Sequence, residues 1–167
     1  ALYVGSVISR NSVSRNTFFK ILKKKINIVF FDLNIRKPFF NQSYLEKMLK
    51  NFSTHIKMTK QELNFIKIIF NTEQIINYLY ATNKNLKMIC VTNGMKGSSI
   101  YSKNGEKNVI TKVDQIKSSN TVGAGDAFSA GIIHGLVSNK SVNHTHIYAS
   151  KLSQQSVKYD DIFNLKI

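Results

Sequence analysis

Ser119-Asn120-Thr121-Val122-Gly123-Ala124-Gly125-Asp126-Ala127-Phe128 sets two glycines around one alanine and puts an aspartate directly after them. Apolar residues then recur at Phe128, Ile132, Ile133 and Leu136, the spacing of a helix. Backbone free of bulky side chains comes close to an anion, and the first amides of a helix have no partner within it. The pattern therefore predicts a turn that holds phosphate oxygens on the amides of Gly123, Ala124 and Gly125. Asp126, in the first helical turn, is placed to take a proton from a hydroxyl beside that phosphate. The chemistry implied is phosphoryl transfer, which asks for positioning, neutralisation of charge and a base. The competing reading of Asp126 is an acidic residue that only caps its helix.

Outward from this stretch, strand and helix patterns alternate. A short strand at Leu2 to Val4 is followed by a helix that Ser12, Val13 and Ser14 start and that runs to Lys25. Residues 26–31 form a continuous β-branched and aromatic run, the mark of a strand buried on both faces. It ends at Asp32, which puts Asp32, Asn34 and Arg36 at the C-terminal edge of a sheet, where ligands of open α/β folds collect. After Pro38 the spacing predicts a helix over 43–50 and a strand over 55–58. Thr59 and Glu62 have the spacing of a capping box at the head of a helix over 63–70. A further helix over 73–80 and a second buried strand over 86–92 follow. Asn93-Gly94 signals a turn, and Gly97 allows close approach of the backbone. Thr92, Gly94 and Gly97 also admit the plain reading of turn chemistry. Residues 98–101 and 108–111 read as a hairpin, 142–155 as a last helix and 160–167 as a partly ordered tail. The alternation predicts one α/β domain over 1–167 with a largely parallel sheet.

A hydrophobic fraction of 43% is ordinary for a packed domain. No apolar run is long enough to span a bilayer, so no membrane partner is expected. Cys90 stands alone in an apolar run, which predicts a buried strand thiol, no disulfide framework and a cytoplasmic setting. A formal charge of +15 raises a basic nucleic-acid-binding module as a rival reading. Against it, the lysines are scattered and the only arginines are Arg10, Arg15 and Arg36; no nucleic-acid partner is expected. His144 and His146 have no carboxylate or cysteine at ligand spacing, so zinc is not expected. No P-loop is present, and Phe128 occupies the last position of what would be Gly-x-Gly-x-x-Gly.

The motif resembles the C-terminal signature of the ribokinase/PfkB carbohydrate kinases, Asp-Thr-x-Gly-Ala-Gly-Asp-x-Phe. Eight of its nine positions agree, free ones counted, with Asn120 in place of the leading Asp. Three further stretches are similar to family segments, in the family's order. Phe31-Asp32-Leu33-Asn34-Ile35-Arg36 resembles the Asp-Pro-Asn-x-Arg strand end of fructokinase-like members. Lys57-Met58-Thr59-Lys60-Gln61-Glu62 resembles the segment whose Glu lies near the phosphate-bound magnesium. Val91-Thr92-Asn93-Gly94-Met95-Lys96-Gly97-Ser98 resembles the Val-Thr-x-Gly-x-x-Gly nucleotide segment.

What this resemblance implies is a ribokinase-like, Rossmann-type three-layer α/β/α fold and ATP-dependent phosphorylation of a sugar hydroxyl. Asp126 is then the base, and Gly123, Ala124 and Gly125 form the anion hole. Thr92, Gly94, Gly97, Asn120 and Arg36 belong to the nucleotide and phosphate contacts, and Glu62 meets Mg2+ directly or through water. Asn120 keeps an oxygen ligand but lacks charge, which weakens any monovalent-cation site. The resemblance covers 1–155 and only the family's C-terminal half, without its Gly-Gly motif or β lid. A truncated fragment, inactive alone, is therefore expected, with a homodimer possible for the full-length protein. The rival within the same fold is a non-catalytic relic.

Overall fold

The computed structural model describes residues 1–110 and 121–158. Among the described residues are six strands, β1 Leu2–Gly5, β2 Val29–Asp32, β3 His55–Thr59, β4 Met88–Thr92, β5 Ser98–Ser102 and β6 Lys107–Ile110. They follow the sheet order β1-β2-β3-β4-β5-β6. Six α-helices accompany them, α1 Ser12–Leu22, α2 Gln42–Lys47, α3 Lys60–Ile69, α4 Ile75–Thr82, α5 Ala124–Val137 and α6 Val142–Lys158. Among the described residues no helix is long and apolar enough to cross a membrane. The described backbone groups into two compact units, one of residues 1–91 and 101–106, the other of 92–100, 107–110 and 121–158.

In the first unit β1, β2 and β3 run parallel, with Leu2 opposite Val29 and Phe31 opposite Ile56. Every residue of β2 is buried, as its unbroken apolar run predicts for a strand covered on both faces. The strand begins at Val29, later than the apolar run suggests, because register with β1 begins at the Leu2–Val29 pair. Around it Phe18, Phe31, Tyr44, Met48, Ile56 and Ile66 form part of one continuous core. Phe31 meets Tyr44 edge-on with ring centroids 6.0 Å apart, and such aromatic pairs add stabilisation beyond the area they bury. Cys90 is fully buried in β4, and burial pushes its thiol up to about 12.

Helix α1 begins at Ser12, where the sequence places its start, and its cap comes from the residue before it. Asn11, not Ser12, caps α1, its side-chain oxygen accepting from the amides of Val13 and Ser14. The same helix stops at Leu22, before the Lys23-Lys24-Lys25 run. Asn41 caps α2 through the amide of Tyr44. At α3 the predicted capping box is present in full.

In the second unit α5 and α6 form an antiparallel pair, and two glycines set their separation. A Cβ on Gly131 would lie 2.5 Å from the Ala149 Cα, and one on Gly135 would collide with the Thr145 side chain. At Gly131 the helix therefore meets the backbone of its neighbour, and at Gly135 it meets a side chain. Asn139 has a left-handed φ of 51°, and the amide of Lys140 returns to the Gly135 carbonyl at 2.9 Å. That pairing satisfies carbonyls the end of α5 would otherwise leave open and turns the chain into α6.

Candidate active site

The C-terminal end of β2 leads into a short loop at 33–36 that is held at nearly every residue. The Leu33 amide donates to the Lys57 carbonyl at 2.9 Å, and the Ser6 hydroxyl donates to the Asn34 carbonyl at 2.8 Å. The Ile35 amide donates to Glu62 Oε1 at 2.7 Å. Asn34 takes a positive φ of 37°, a conformation an asparagine tolerates better than most side chains. Arg36 emerges from this loop exposed. Beneath it, Lys57 Nζ donates to both oxygens of Asp32 at 3.1 and 3.0 Å, and both side chains are buried. A charge pair removed from water persists only where geometry and further hydrogen bonds compensate its desolvation. Here the bidentate contact and the Tyr3 hydroxyl, 3.3 Å from Asp32 Oδ2, contribute that compensation.

Glu62 is the hub of the same region. Its Oε2 accepts from the Thr59 amide at 2.7 Å and from the Thr59 hydroxyl at 3.1 Å, while Oε1 takes the Ile35 amide. The helix cap and the Arg36 loop therefore share one carboxylate. Sequence reasoning marked the cap but not the loop, because the Ile35 contact joins residues 27 positions apart.

The Thr92-to-Gly97 segment is a tight turn after β4. Gly94 and Gly97 have φ of 55° and 87°, values a side chain would oppose. The Asn93 amide donates to the Gly97 carbonyl at 2.8 Å, and the Gly97 amide donates to Gly94 at 3.0 Å. Gly94 is exposed, Gly97 is buried and Thr92 is half-buried.

At the head of α5, Gly123 is the N-cap residue with φ 86°, ψ −15°, again a left-handed conformation that explains a glycine there. Its carbonyl accepts from the Ala127 amide at 2.8 Å and so begins the helical ladder. The Ala124 amide closes a tighter, three-residue-apart turn onto the Thr121 carbonyl at 3.3 Å. Gly125 and Asp126 occupy the second and third helical positions, in the first turn, where helix amides point out of the helix end. Asp126 is exposed, so its carboxylate is on the solvent side of the first turn. The Ser153 hydroxyl of α6 donates to the Ala124 carbonyl at 2.9 Å and fixes where this first turn begins. Asn120 lies outside the described residues.

His146, which the sequence singled out only as a poor metal ligand, is fully buried in α6. Its Nε2 is 2.7 Å from the Ser98 hydroxyl, its Nδ1 is 2.6 Å from Asn108 Oδ1, and its ring meets Phe128 edge-on. Burial holds the ring pKa down at about 4. Gly131, Gly135 and Ser153 were likewise not picked out. The one available signal was the Gly131–Gly135 repeat, four residues apart on an otherwise apolar helix.

Comparison with known proteins bears on the family and the fold. The sequence pattern described as pfkB family carbohydrate kinase matches residues 1–162. A 5-dehydro-2-deoxygluconokinase of Bacillus subtilis is 32% identical over 80 residues, covering 48% of this chain and 24% of that protein. The chloroplastic fructokinase-like 2 of Arabidopsis thaliana is 27% identical over 161 residues, covering 83% of this chain and 26% of that protein. Among solved structures, Xylella fastidiosa fructokinase with bound ATP superposes with a TM-score of 0.82 at 16% identity, over 96% of this chain and 56% of the other. That likeness establishes a ribokinase-like α/β fold. The chain spans well under two thirds of the length of these relatives.

Proposed function

The chain belongs to the pfkB family of carbohydrate kinases, and from that membership we propose that it supplies the ATP site, anion hole and catalytic base for phosphorylation of a sugar hydroxyl. The observation that carries the reading is the turn at Gly123, whose left-handed φ leads directly into helix amides and an exposed Asp126. Amides at this position attract an anion through their own hydrogens and through the positive end of the helix dipole. ATP, when bound, supplies the γ-phosphoryl group. Asp126 receives the proton of the acceptor hydroxyl as the new oxygen–phosphorus bond forms and ADP leaves. A base in this role contributes roughly 10²–10⁴-fold in rate. Gly123, Ala124 and Gly125 steady the charge on the transferring oxygens with backbone donors.

The turn at Thr92, Gly94 and Gly97 is assigned to the nucleotide, and Asn120 to its neighbourhood. Arg36, on its pinned loop, is assigned to a phosphate or an acidic group of the substrate, for which a planar guanidinium is suited. Glu62, whose oxygens also accept from chain donors, would hold Mg2+ directly or through water. That cation would neutralise phosphate charge. Fructose and 5-dehydro-2-deoxygluconate are the acceptors that the relatives' names suggest testing first.

The test is Asp126→Asn in the complete protein. Sugar phosphorylation should fall by at least about 10²-fold while ATP still binds; a variant that turns over normally would remove Asp126 from the role. The second reading, a non-catalytic member of the same fold, is favoured by Asn120 where the signature has Asp. Transfer of phosphate from ATP to a sugar by the complete protein would end it.

A further inference from the structure

His146 joins two segments of the second unit, one that the kinase reading assigns to the nucleotide and one that it assigns to the transferring phosphate and its base. Ser98, which it contacts through Nε2, follows Gly97 directly at the end of the Thr92–Gly97 turn. Phe128, whose ring it meets at 6.1 Å and 89°, stands two residues beyond Asp126 on α5. Resting on the kinase reading, we infer that His146 is a positioning residue that fixes the nucleotide turn and the Asp126 helix in one arrangement.

The direction of each hydrogen bond follows from the chain. Asn108 Nδ2 donates to Asn143 Oδ1 at 3.2 Å, which leaves Asn108 Oδ1 facing His146 as an acceptor. His146 Nδ1 must then carry the proton. With Nδ1 protonated and the ring neutral, Nε2 is an acceptor, and the Ser98 hydroxyl donates to it. The orientation of an asparagine on β6 thereby sets the tautomer of a histidine on α6, which sets the hydroxyl at the start of β5. Every member lies in the same compact unit. A charged ring would donate from both nitrogens and could not receive the Ser98 proton. Burial, which keeps the ring neutral down to about pH 4, preserves the arrangement at neutral pH. An apolar side chain of similar size fills the space but offers nothing to the buried Ser98 hydroxyl or to the half-buried Asn108 amide, and the Ser98 hydroxyl then lacks its partner.

Three variants of the complete protein test this. His146→Leu and Ser98→Ala should each weaken Mg-ATP binding, His146→Leu by about tenfold and Ser98→Ala by about threefold. His146→Gln, whose amide offers one donor and one acceptor like the neutral ring, should recover most of the loss. Nitrogen-15 NMR of the unaltered protein at pH 7 should show His146 protonated on Nδ1 and bare on Nε2. A merely structural histidine would lower the melting temperature without changing ATP affinity in the folded variants, and that outcome overturns the inference. An Nε2-protonated ring overturns it also, and remains readable should His146→Leu fail to fold. Failure of the unaltered protein to bind ATP would instead bring down the kinase reading and the nucleotide role assigned to His146, leaving the tautomer as a separate result.

Discussion

The loop at 33–36 and the turn at 121–126 both bring polar groups to the end of an element, and they are held by opposite means. The loop relies on side chains: the buried Asp32–Lys57 pair, the Glu62 carboxylate and the Ser6 hydroxyl. The turn relies on backbone: a left-handed glycine, helix amides and a helix pair brought into contact by Gly131 and Gly135. The difference suits what each presents. A long, flexible arginine needs a stiff base, and many local bonds supply one. A phosphate cradle needs bare amides, and any side chain placed there to stiffen it would also obstruct it.

The largest effect is expected at Lys57. Lys57→Met removes the ammonium and keeps a buried carboxylate, a change that typically costs about 3–5 kcal/mol. Urea unfolding should show that loss, and adding Asp32→Asn should recover part of it by removing the uncompensated charge. If Lys57→Met were as stable as the unaltered chain, the loop could not depend on the pair as described.

A change of pH acts on both units at once. Burial, reinforced by Lys87, holds His55 down at about 4, and burial alone does the same for His146. In the unfolded chain both rings take up protons near 6.5. Between about 6.5 and 4 the unfolded state therefore binds more protons, and stability increases with pH across that window. It is fully present above about 6.5 and is lost as pH falls toward 4, by roughly 1–3 kcal/mol for each histidine. Unfolding curves taken from pH 7 to 4 check the sign, and His55→Gln should remove the first unit's share while leaving that of His146. A flat profile would contradict the burial of both rings.

How much of this was legible beforehand follows the same division. The Thr59–Glu62 box was readable because a cap is written within four residues, and Gly123 because glycines flanking alanine announce an unusual backbone. The fully buried β2 was readable from Val29, Phe30 and Phe31. What stayed hidden depends on partners far along the chain. Asp32 was marked as a strand end, yet Lys57, 25 residues on, was not seen as its counter-charge. His146 lies 48 residues from Ser98 and 38 from Asn108, and nothing local separates such a histidine from an ordinary helical one. Asn11 was overlooked because Ser12 and Ser14 are equally good cap residues by type; only the fold decides which hydrogen-bonding group faces the helix amides.

The smallest effect expected tests the backbone side of the comparison. Gly131→Ala adds a methyl group 2.5 Å from the Ala149 Cα, a separation that real contacts do not reach. Alanine gains about 1 kcal/mol in helix propensity over glycine, while forced overpacking costs about 1–3 kcal/mol, so the net loss should be at most about 2 kcal/mol. Ala149→Gly in the same chain should restore little, because the obstruction is a backbone atom that every residue has. That result separates backbone contact from ordinary side-chain crowding, where trimming the neighbour restores stability. Complete rescue by Ala149→Gly would mean that α5 is located by its side chains after all, and the contrast with the Arg36 loop would vanish.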